Sequence, residues 1–177
     1  MKEIRWHGRG GQGAFTASKL LGAAAILEGK YALAFPSFGP ERRGAPIQAF
    51  TKIDERPITD RSTIKKCDYI LFLDETLYTP SVIDDLKQGG KLIINSSSLE
   101  KYEDDRIIAF NGDEIAEEIL HRPVTNTALL AAFAVISELI SIEEIENVLR
   151  QYLPEKIAEK NKAVIRRVAA LLESRRV

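Results

Sequence analysis

The sequence has 177 residues and a mass of 19.8 kDa, which is the size of one domain with its own hydrophobic core. Apolar residues make up 45% and charged residues 29%, so the composition excludes a disordered or collagen-like chain. The 25 basic and 26 acidic residues give a formal charge of -1, which argues against nucleic-acid binding dominated by electrostatic attraction.

A single cysteine, Cys67, limits the kinds of site further. One thiolate cannot form an internal disulfide, a zinc knuckle or an iron–sulfur cluster. The first residues carry no apolar run after their charges, so no signal peptide is predicted. The longest mostly apolar stretch, residues 128–140, is shorter than the roughly 20 residues that cross a bilayer. These features predict a cytoplasmic protein with no membrane segment.

Strands and helices are predicted to alternate from the start of the chain. Residues 4–7 form a short apolar and polar run that stops at glycines, which predicts a first strand. An Ala- and Leu-rich helix without proline follows over 16–27, with Gly29 just past its C-terminal end. Strands are predicted next at 31–35 and 47–53, and the prolines and glycines between them break regular structure.

Continuous apolar runs of strand length follow at 69–73, 91–95 and 106–110. Such runs are typical of central strands that are covered on both faces, as in parallel sheets. Between the first two, residues 79–86 are predicted to form a helix that Gly89-Gly90 ends.

The last third of the chain is predicted to be helical. A short helix covers 112–120, and a longer one covers 126–140 with Asn126 as its cap. Residues 141–144 have the Ser-x-x-Glu spacing of a capping box, and a final helix is predicted over about 156–174.

This order of elements predicts one α/β domain over residues 1–177. We expect a Rossmann-like, three-layer α/β/α arrangement with a mostly parallel sheet and a helical C-terminal third.

Residues 8–13, the glycine loop, follow the first strand and open the first helix; their sequence is Gly8-Arg9-Gly10-Gly11-Gln12-Gly13. The spacing fits the G-x-G-x-x-G template, in which glycines permit positive φ and let backbone N–H groups approach an anion. The helix N-terminus adds a partial positive charge, and Arg9 would add a full one. A tight turn that only lets the helix pack on the sheet is the structural alternative.

A nicotinamide dinucleotide is a further alternative ligand for this loop. Such sites place an acidic residue about 20 positions on to hold the ribose. Residues 31–37 contain no Asp or Glu, although Arg42 and Arg43 could meet a 2′-phosphate instead.

Residues 34–46, the Pro/Arg loop, carry Phe35 and Phe38 beside the charged run 41–43. Prolines restrict this backbone, so ordering it on a partner would cost less entropy. Two adjacent guanidinium groups suit the recognition of phosphate or carboxylate. The alternative is a solvated turn in which an arginine pairs with Glu41.

Other reactive residues near the loops are interpreted as structural. His7 has no evident carboxylate to orient it, which favours a hydrogen-bonded structural histidine. Asp74-Glu75 ends another strand at the same predicted edge, without the spacing of a catalytic pair. Residues 96–98 form a polar turn that could line the same crevice, and Cys67 is expected to be a small apolar filler.

Both loop motifs together resemble a known family. The stretches IRWHGRGGQG (4–13) and FPSFGPERRGAP (35–46) strongly resemble the gamma subunits of pyruvate (2-oxoacid):ferredoxin oxidoreductases. The segments RPVTNTA (122–128) and KIAEKN (156–161) also look like that family, so the resemblance covers nearly the whole chain.

This resemblance implies one subunit of an enzyme that oxidatively decarboxylates a 2-oxoacid to acyl-CoA and CO2 and reduces ferredoxin. Pyruvate is the expected substrate, although enzymes for branched-chain 2-oxoacids share these motifs. The implied partners are alpha, beta and delta subunits, and ferredoxin would bind to these other subunits. These subunits would hold thiamine diphosphate, Mg²⁺ and the iron–sulfur clusters. The sequence agrees, because Gly112-Asp113 is followed by Glu114 and the Gly-Asp-Gly signature of thiamine diphosphate sites is absent.

We expect the two loops to lie together at the carboxyl ends of the strands, where ligands bind in open α/β sheets. One hypothesis is that this edge closes over the active site of the thiamine-binding subunits and helps to dock coenzyme A. Its candidate anion-binding residues are Gly8, Arg9, Gly10, Gly11, Gln12, Gly13, Ser37, Arg42 and Arg43. A second hypothesis is a purely structural interaction subunit, with Phe35, Phe38 and Glu41 as interface anchors. A stand-alone NAD(P)-binding protein is the third.

Overall fold

The computed structural model describes residues 1–37 and 43–175. Within them lies one six-stranded sheet, whose strands are β1 (Lys2–Arg9), β2 (Tyr31–Pro36), β3 (Pro46–Asp54), β4 (Cys67–Phe72), β5 (Leu86–Asn95) and β6 (Ile107–Phe110). The spatial order is β2-β3-β1-β4-β5-β6. Strands β1, β4, β5 and β6 pair in parallel, whereas β3 is antiparallel to both of its neighbours. Every strand of this sheet except β3 therefore runs in one direction.

α-Helices cover one face of the sheet. In the described residues they are α1 (Ala14–Leu27), α2 (Gly112–Leu120), α3 (Asn126–Ser137), α4 (Ile142–Tyr152) and α5 (Glu155–Ser174). All five contribute to one core with Ile4, Trp6 and Leu71 of the sheet. Helix α3 lies innermost, because nine of its twelve residues are buried. None of the helices in the described ranges is both long and apolar enough to cross a membrane.

The opposite face of the sheet has a thinner cover. Its core contains Ile70 and Phe72 of β4, packed under Ile64 of the segment 55–66 and Ile83 of a 3-10 helix, Pro80–Asp85. Among the residues described, no α-helix contributes to this second core. The predicted α/β domain with a mostly parallel sheet is confirmed, and its third layer consists of 3-10 helices and loop.

The prediction of a regular helix over 79–86 is wrong, because a different type of helix forms there. Pro80–Asp85 forms a 3-10 helix, because Val82 and Ile83 lose side-chain freedom in an α-helix and the segment is short. Gly89-Gly90 lies inside β5 instead of ending a helix. A Cβ on Gly90 would lie 3.0 Å from the carbonyl oxygens of Asp68 and Lys87, so the close approach of two strands requires glycine there.

Helix α3 differs from its prediction at both ends. Its N-cap is Thr125, and Asn126 is the first helical residue, with its Oδ1 accepting the backbone N–H of Thr127 at 2.9 Å. The helix ends before Glu138, whose φ of 55° is left-handed. Half of the predicted capping box of the next helix forms, because Ser141 Oγ accepts the N–H of Glu144 at 3.2 Å. The Ser141 N–H donates to Glu28 Oε1 at 2.6 Å instead of to Glu144.

Candidate functional site

The two loops meet at one edge of the sheet. Strands β1 and β2 end there and β3 begins there, so the glycine loop and the Pro/Arg loop leave the sheet side by side. Two main-chain hydrogen bonds join them, from the Gly10 N–H to the Ala45 oxygen at 2.9 Å and from the Gly44 N–H to the Gly10 oxygen at 3.0 Å. The predicted juxtaposition is thus confirmed for the described part of both loops. Phe38, Glu41 and Arg42 lie outside the described residues.

Two glycines of the loop adopt conformations that other residues avoid. Gly11 has a φ of 98°, and Gly13, the N-cap of α1, has a φ of 84°. A Cβ on Gly13 would also lie 2.6 Å from Nδ2 of Asn126, so the conformation favours glycine and a side chain there would displace the Asn126 amide. An added Cβ on Gly11 would meet nothing within 4 Å, because this residue borders open space.

Only some backbone N–H groups of the site are free to meet a ligand. The N–H groups of Arg9, Gly10 and Gln12 are used within the loops. Those of residues 14–16, in the first turn of α1, have no intrahelical partner, and Gly13 provides no side-chain cap. The start of α1 therefore supplies donors for an anion beside the glycine loop.

Arg9 is occupied by partners from its own chain. Its Nε donates to Asp74 Oδ2 at 3.0 Å, its Nη1 to the Gly44 oxygen at 3.1 Å and its Nη2 to Thr76 Oγ1 at 2.9 Å. Each nitrogen of the guanidinium group has a partner, and Asp74 balances its charge. Arg9 thus ties β1 to the turn after β4 and does not present a free charge.

Asp74 collects further hydrogen bonds from the same edge. Its Oδ2 also accepts from Gln12 Nε2 at 3.2 Å, and its Oδ1 accepts from the Thr76 N–H at 2.9 Å. Partial burial raises the pKa of Asp74, but the hydrogen bonds from Thr76 and Gln12 and the charge of Arg9 outweigh it and lower the pKa. The carboxylate is therefore ionised at neutral pH. Sequence reasoning missed this role because Arg9 and Gln12 are more than 60 residues away in the chain.

A cleft of about 620 Å³, the α1 cleft, opens beside the start of α1. Its lining residues are Gly10, Gly11, Gly13, Ala14, Phe15, Thr16, Arg43 and Ile47. Arg43 is exposed and is the one charged residue in this described lining. Free backbone N–H groups and a guanidinium group in one cleft, with no carboxylate in that lining, favour the binding of an anion.

A second cleft of about 600 Å³, the acidic cleft, lies on the other side of the glycine loop. Its lining includes five carboxylates, those of Asp74, Glu75, Asp113, Glu114 and Glu117. Ser96 and Ser97 also line it, and no lysine or arginine occurs in the part of the lining that is described. Although this crevice lies at the carboxyl ends of β4, β5 and β6, its charge disfavours a phosphate.

The helix N-terminus beside the acidic cleft is capped internally. Asn95 is buried, and its Oδ1 accepts the N–H groups of Gly112 at 2.9 Å and Asp113 at 3.2 Å at the start of α2. Ser96 Oγ donates to Glu75 at 2.7 Å. Over residues 1–37 and 43–175, no group of three or more His, Cys, Asp or Glu side chains is arranged to hold a metal ion.

Three further sequence candidates have local structural partners. Ser37 Oγ accepts the Gln48 N–H at 3.2 Å in the β2–β3 hairpin. The half-buried ring of Phe35 packs on Phe50 with 5.2 Å between centroids. Gly8 lies in β1, where a Cβ would come within 3.2 Å of the Ala14 Cβ, so this glycine lets α1 pack closely on the sheet.

The partly buried His7 and the buried Cys67 lie on the thinly covered face. His7 Nε2 accepts a hydrogen bond from Arg5 Nε at 3.0 Å, and its ring stacks on Phe72 at 4.3 Å. Burial, with a contribution from the charge of Arg5, lowers the pKa of His7 to about 3, so the ring stays neutral. Burial raises the pKa of the Cys67 thiol to about 11, which makes a reactive thiolate unfavourable.

Comparison with known proteins agrees with the resemblance carried by the motifs. The model of the pyruvate ferredoxin/flavodoxin oxidoreductase family matches residues 3–171. The chain is 43% identical to the pyruvate synthase subunit PorC of Methanothermobacter thermautotrophicus, over 100% of this chain and 99% of that one. It is 44% identical to the pyruvate/ketoisovalerate oxidoreductases common subunit gamma of Pyrococcus abyssi, over 91% of each chain.

A solved structure shares the fold. The crystal structure of the pyruvate oxidoreductase subunit PORC of Thermotoga maritima aligns with a TM-score of 0.83 and 32% identity, over 96% of this chain and 95% of that one. The chain therefore belongs to the pyruvate ferredoxin/flavodoxin oxidoreductase family, as a gamma-type subunit of such an enzyme.

Proposed function

We propose that this gamma-type subunit docks coenzyme A through the α1 cleft, at the active site that the other subunits of the oxidoreductase form. The complex oxidatively decarboxylates a 2-oxoacid, with pyruvate as the expected substrate, and passes electrons to ferredoxin in the cytoplasm. Its alpha, beta and delta subunits hold thiamine diphosphate, Mg²⁺ and the iron–sulfur clusters. The observation that carries the proposal is the uncapped start of α1, which shares one cleft with Arg43.

The chemistry of the α1 cleft matches the phosphates of coenzyme A. Backbone N–H groups at a helix N-terminus and a guanidinium group both donate to phosphate oxygens. The acidic cleft on the other side of the glycine loop repels the same groups, so the ligand is directed to the α1 side. Coenzyme A lies between this chain and its partners in this proposal, which explains why the cleft is open.

The shared gamma subunit of Pyrococcus abyssi supports the same proposal. Its name states that one gamma subunit is common to pyruvate and ketoisovalerate oxidoreductases, whose 2-oxoacids differ in the side chain. If a gamma subunit that serves both enzymes binds a substrate, that substrate is one that their reactions share. Coenzyme A is common to both reactions, whereas the 2-oxoacid side chain is not.

The redox cofactors do not fit this chain. The fully buried thiol of Cys67 faces the thinly covered side of the sheet and lacks companion ligands in the sequence. We therefore assign the clusters and thiamine diphosphate to the other subunits, while this chain positions coenzyme A and excludes water beside them.

The test uses the assembled oxidoreductase with Arg43→Ala, and Arg61→Ala as an exposed arginine from the segment 55–66. We expect Arg43→Ala to raise the KM for coenzyme A by about three- to tenfold. This factor corresponds to the loss of one partly exposed hydrogen bond from a charged group. The KM for the 2-oxoacid should not change, and Arg61→Ala should affect neither constant. An unchanged KM for coenzyme A in an intact complex would refute the proposal.

Size-exclusion chromatography of the same variants tests the alternative of a purely structural subunit. If Arg43→Ala releases this chain from its partners, the loop is an interface anchor instead of a ligand site. Titration of the complex with NAD and NADP tests the remaining alternative, and saturable binding of either would favour a nucleotide-binding function.

A further inference from the structure

We infer that Arg9 is a positioning residue, and that Asp74 holds it in a clasp that shapes the α1 cleft. The clasp comprises the side chains of Arg9, Gln12, Asp74 and Thr76 and the carbonyl oxygen of Gly44. The inference rests on the proposed function, because the loop that the clasp positions is the one that would meet coenzyme A.

The clasp joins segments that are distant in sequence. Arg9 is the last residue of β1, Gln12 belongs to the glycine loop, and Gly44 belongs to the Pro/Arg loop. Asp74 and Thr76 follow β4, the neighbour of β1 in the sheet. Asp74 therefore connects the glycine loop to the adjacent strand, and Arg9 extends this link to the Pro/Arg loop.

Both side chains of the glycine loop are held by this carboxylate. Residues 8–13 contain four glycines and only two residues with side chains, Arg9 and Gln12. Each donates to Asp74 Oδ2, at 3.0 and 3.2 Å. The amide of Gln12 also turns back, and its Oε1 accepts the Arg9 N–H at 2.7 Å. Because glycines lose the most conformational freedom on ordering, a loop built from them depends on such anchors.

Arg9 is poorly placed to be a ligand of the anion. Arg43 lines the α1 cleft, and Arg9 does not. The guanidinium of Arg9 is directed to Asp74 and Thr76, both of which line the acidic cleft. An anion that reached Arg9 would have to displace one carboxylate and approach Glu75 as well, which costs Coulomb energy.

Through Gly44, the clasp also acts on Arg43. The Arg9 Nη1 donates to the Gly44 oxygen, and the Gly44 N–H donates to the Gly10 oxygen, so the residue next to Arg43 is held on both sides. The free N–H groups at the start of α1 and the guanidinium of Arg43 are thereby kept in one arrangement before the ligand arrives. Such preorganisation lowers the entropic cost of binding.

A positioning role and a ligand role for Arg9 predict opposite effects of Asp74 variants. In a clasp, Arg9→Ala and Asp74→Ala both raise the KM for coenzyme A, by about tenfold, because the loop loses its geometry. The KM of the double variant should not exceed that of the single variant with the higher KM, because each substitution already breaks the same clasp. If Arg9 instead binds the anion, Asp74→Ala frees its guanidinium and lowers the KM, which would overturn the inference.

The experiment is done on the assembled oxidoreductase, with the KM for the 2-oxoacid as an internal reference. Asp105→Ala, an exposed aspartate just before β6, is the matched control and should leave both constants unchanged. Arg43→Ala separates the two proposals. If it raises the KM for coenzyme A while Arg9→Ala and Asp74→Ala do not, only the clasp is refuted. If Arg43→Ala has no effect, the proposed docking of coenzyme A fails.

Hydrogen exchange of the ligand-free complex provides a readout that does not depend on coenzyme A. Asp74→Asn keeps the shape of the side chain and removes its charge, so it is the safer variant should Asp74→Ala fail to fold. Arg9→Ala and Asp74→Asn should speed exchange in peptides that cover residues 8–16 and 43–47, with no change in α5. Unchanged exchange in both segments would refute the clasp, whatever the kinetics show.

Discussion

Gly13 and Asn126 lie so close together that an added Cβ on Gly13 would be 2.6 Å from the Asn126 Nδ2, and the amide would have to move. Gly13 caps α1, and Asn126 is the first residue of α3. The contact brings the start of the buried helix α3 against the glycine loop. Thr127 extends this link, because its Oγ1 donates to Asn161 Oδ1 of α5 at 2.8 Å.

Substitution of Gly13 should therefore cost more than substitution of Gly11, although both have positive φ. We expect Gly11→Ala to lower the free energy of unfolding by about 1 kcal/mol, from backbone strain alone. Gly13→Ala adds the overlap with Asn126, and the total should be about 2–4 kcal/mol. Urea denaturation measures both, and Asn126→Ala should restore part of the loss in the Gly13→Ala background. Equal costs at the two glycines would contradict the contact.

The partly buried ring of His7 should make stability depend on pH. The unfolded chain takes up a proton on this ring near pH 6.5, whereas the folded chain does so only near pH 3. The free energy of unfolding should therefore fall as the pH is lowered from 6.5 towards 3, because the unfolded state binds the extra proton. Denaturation at pH 7 and pH 5 should show a smaller decrease for His7→Gln than for the unmodified chain.

His121→Gln is the matched control for this measurement, since that histidine is exposed on the C-cap of α2. A decrease of equal size in the His7→Gln variant and the unmodified chain would show that another group dominates between pH 7 and pH 5.

Lys52 anchors the segment 55–66 across the thinly covered face of the sheet. Its side chain is fully buried, and its ammonium group donates to the Asp60 carboxylate at 2.7 Å and to the Asp60 carbonyl oxygen at 3.3 Å. Asp60→Ala should destabilise the chain, because it removes the closer of the two carboxylates that accompany a buried charge. Lys52→Met in the same background should recover stability, since it removes that charge, and thermal denaturation tests both changes. A further loss in the double variant would contradict the pairing.

If the α1 cleft recognises coenzyme A alone, the identity of the 2-oxoacid should not matter to it. Arg43→Ala should raise the KM for coenzyme A by the same factor with pyruvate and with a branched-chain 2-oxoacid, wherever the complex accepts both. Steady-state kinetics with each substrate measure the two factors. A factor that depends on the 2-oxoacid would place Arg43 near the substrate side chain.

Much of this molecule could be predicted from local patterns. The apolar runs at 69–73, 91–95 and 106–110 mark three neighbouring parallel strands, and the glycine spacing at 8–13 marks the turn into α1. Such features depend on residues close in the chain, whose periodicity and backbone freedom are visible in the sequence. The family could be identified in the same way, because each of its motifs is a continuous stretch of the chain.

Other features depended on which strands became neighbours. The local sequence pattern predicts that Arg9 presents a free positive charge. In the structure this charge is paired, because the strand order places β4 beside β1 and brings Asp74 within 3.0 Å of Arg9. The same packing places the α1 cleft on one side of the glycine loop and the acidic cleft on the other. Periodicity reveals which residues are buried, but the partner of a charge 65 positions away is set only when the chain folds.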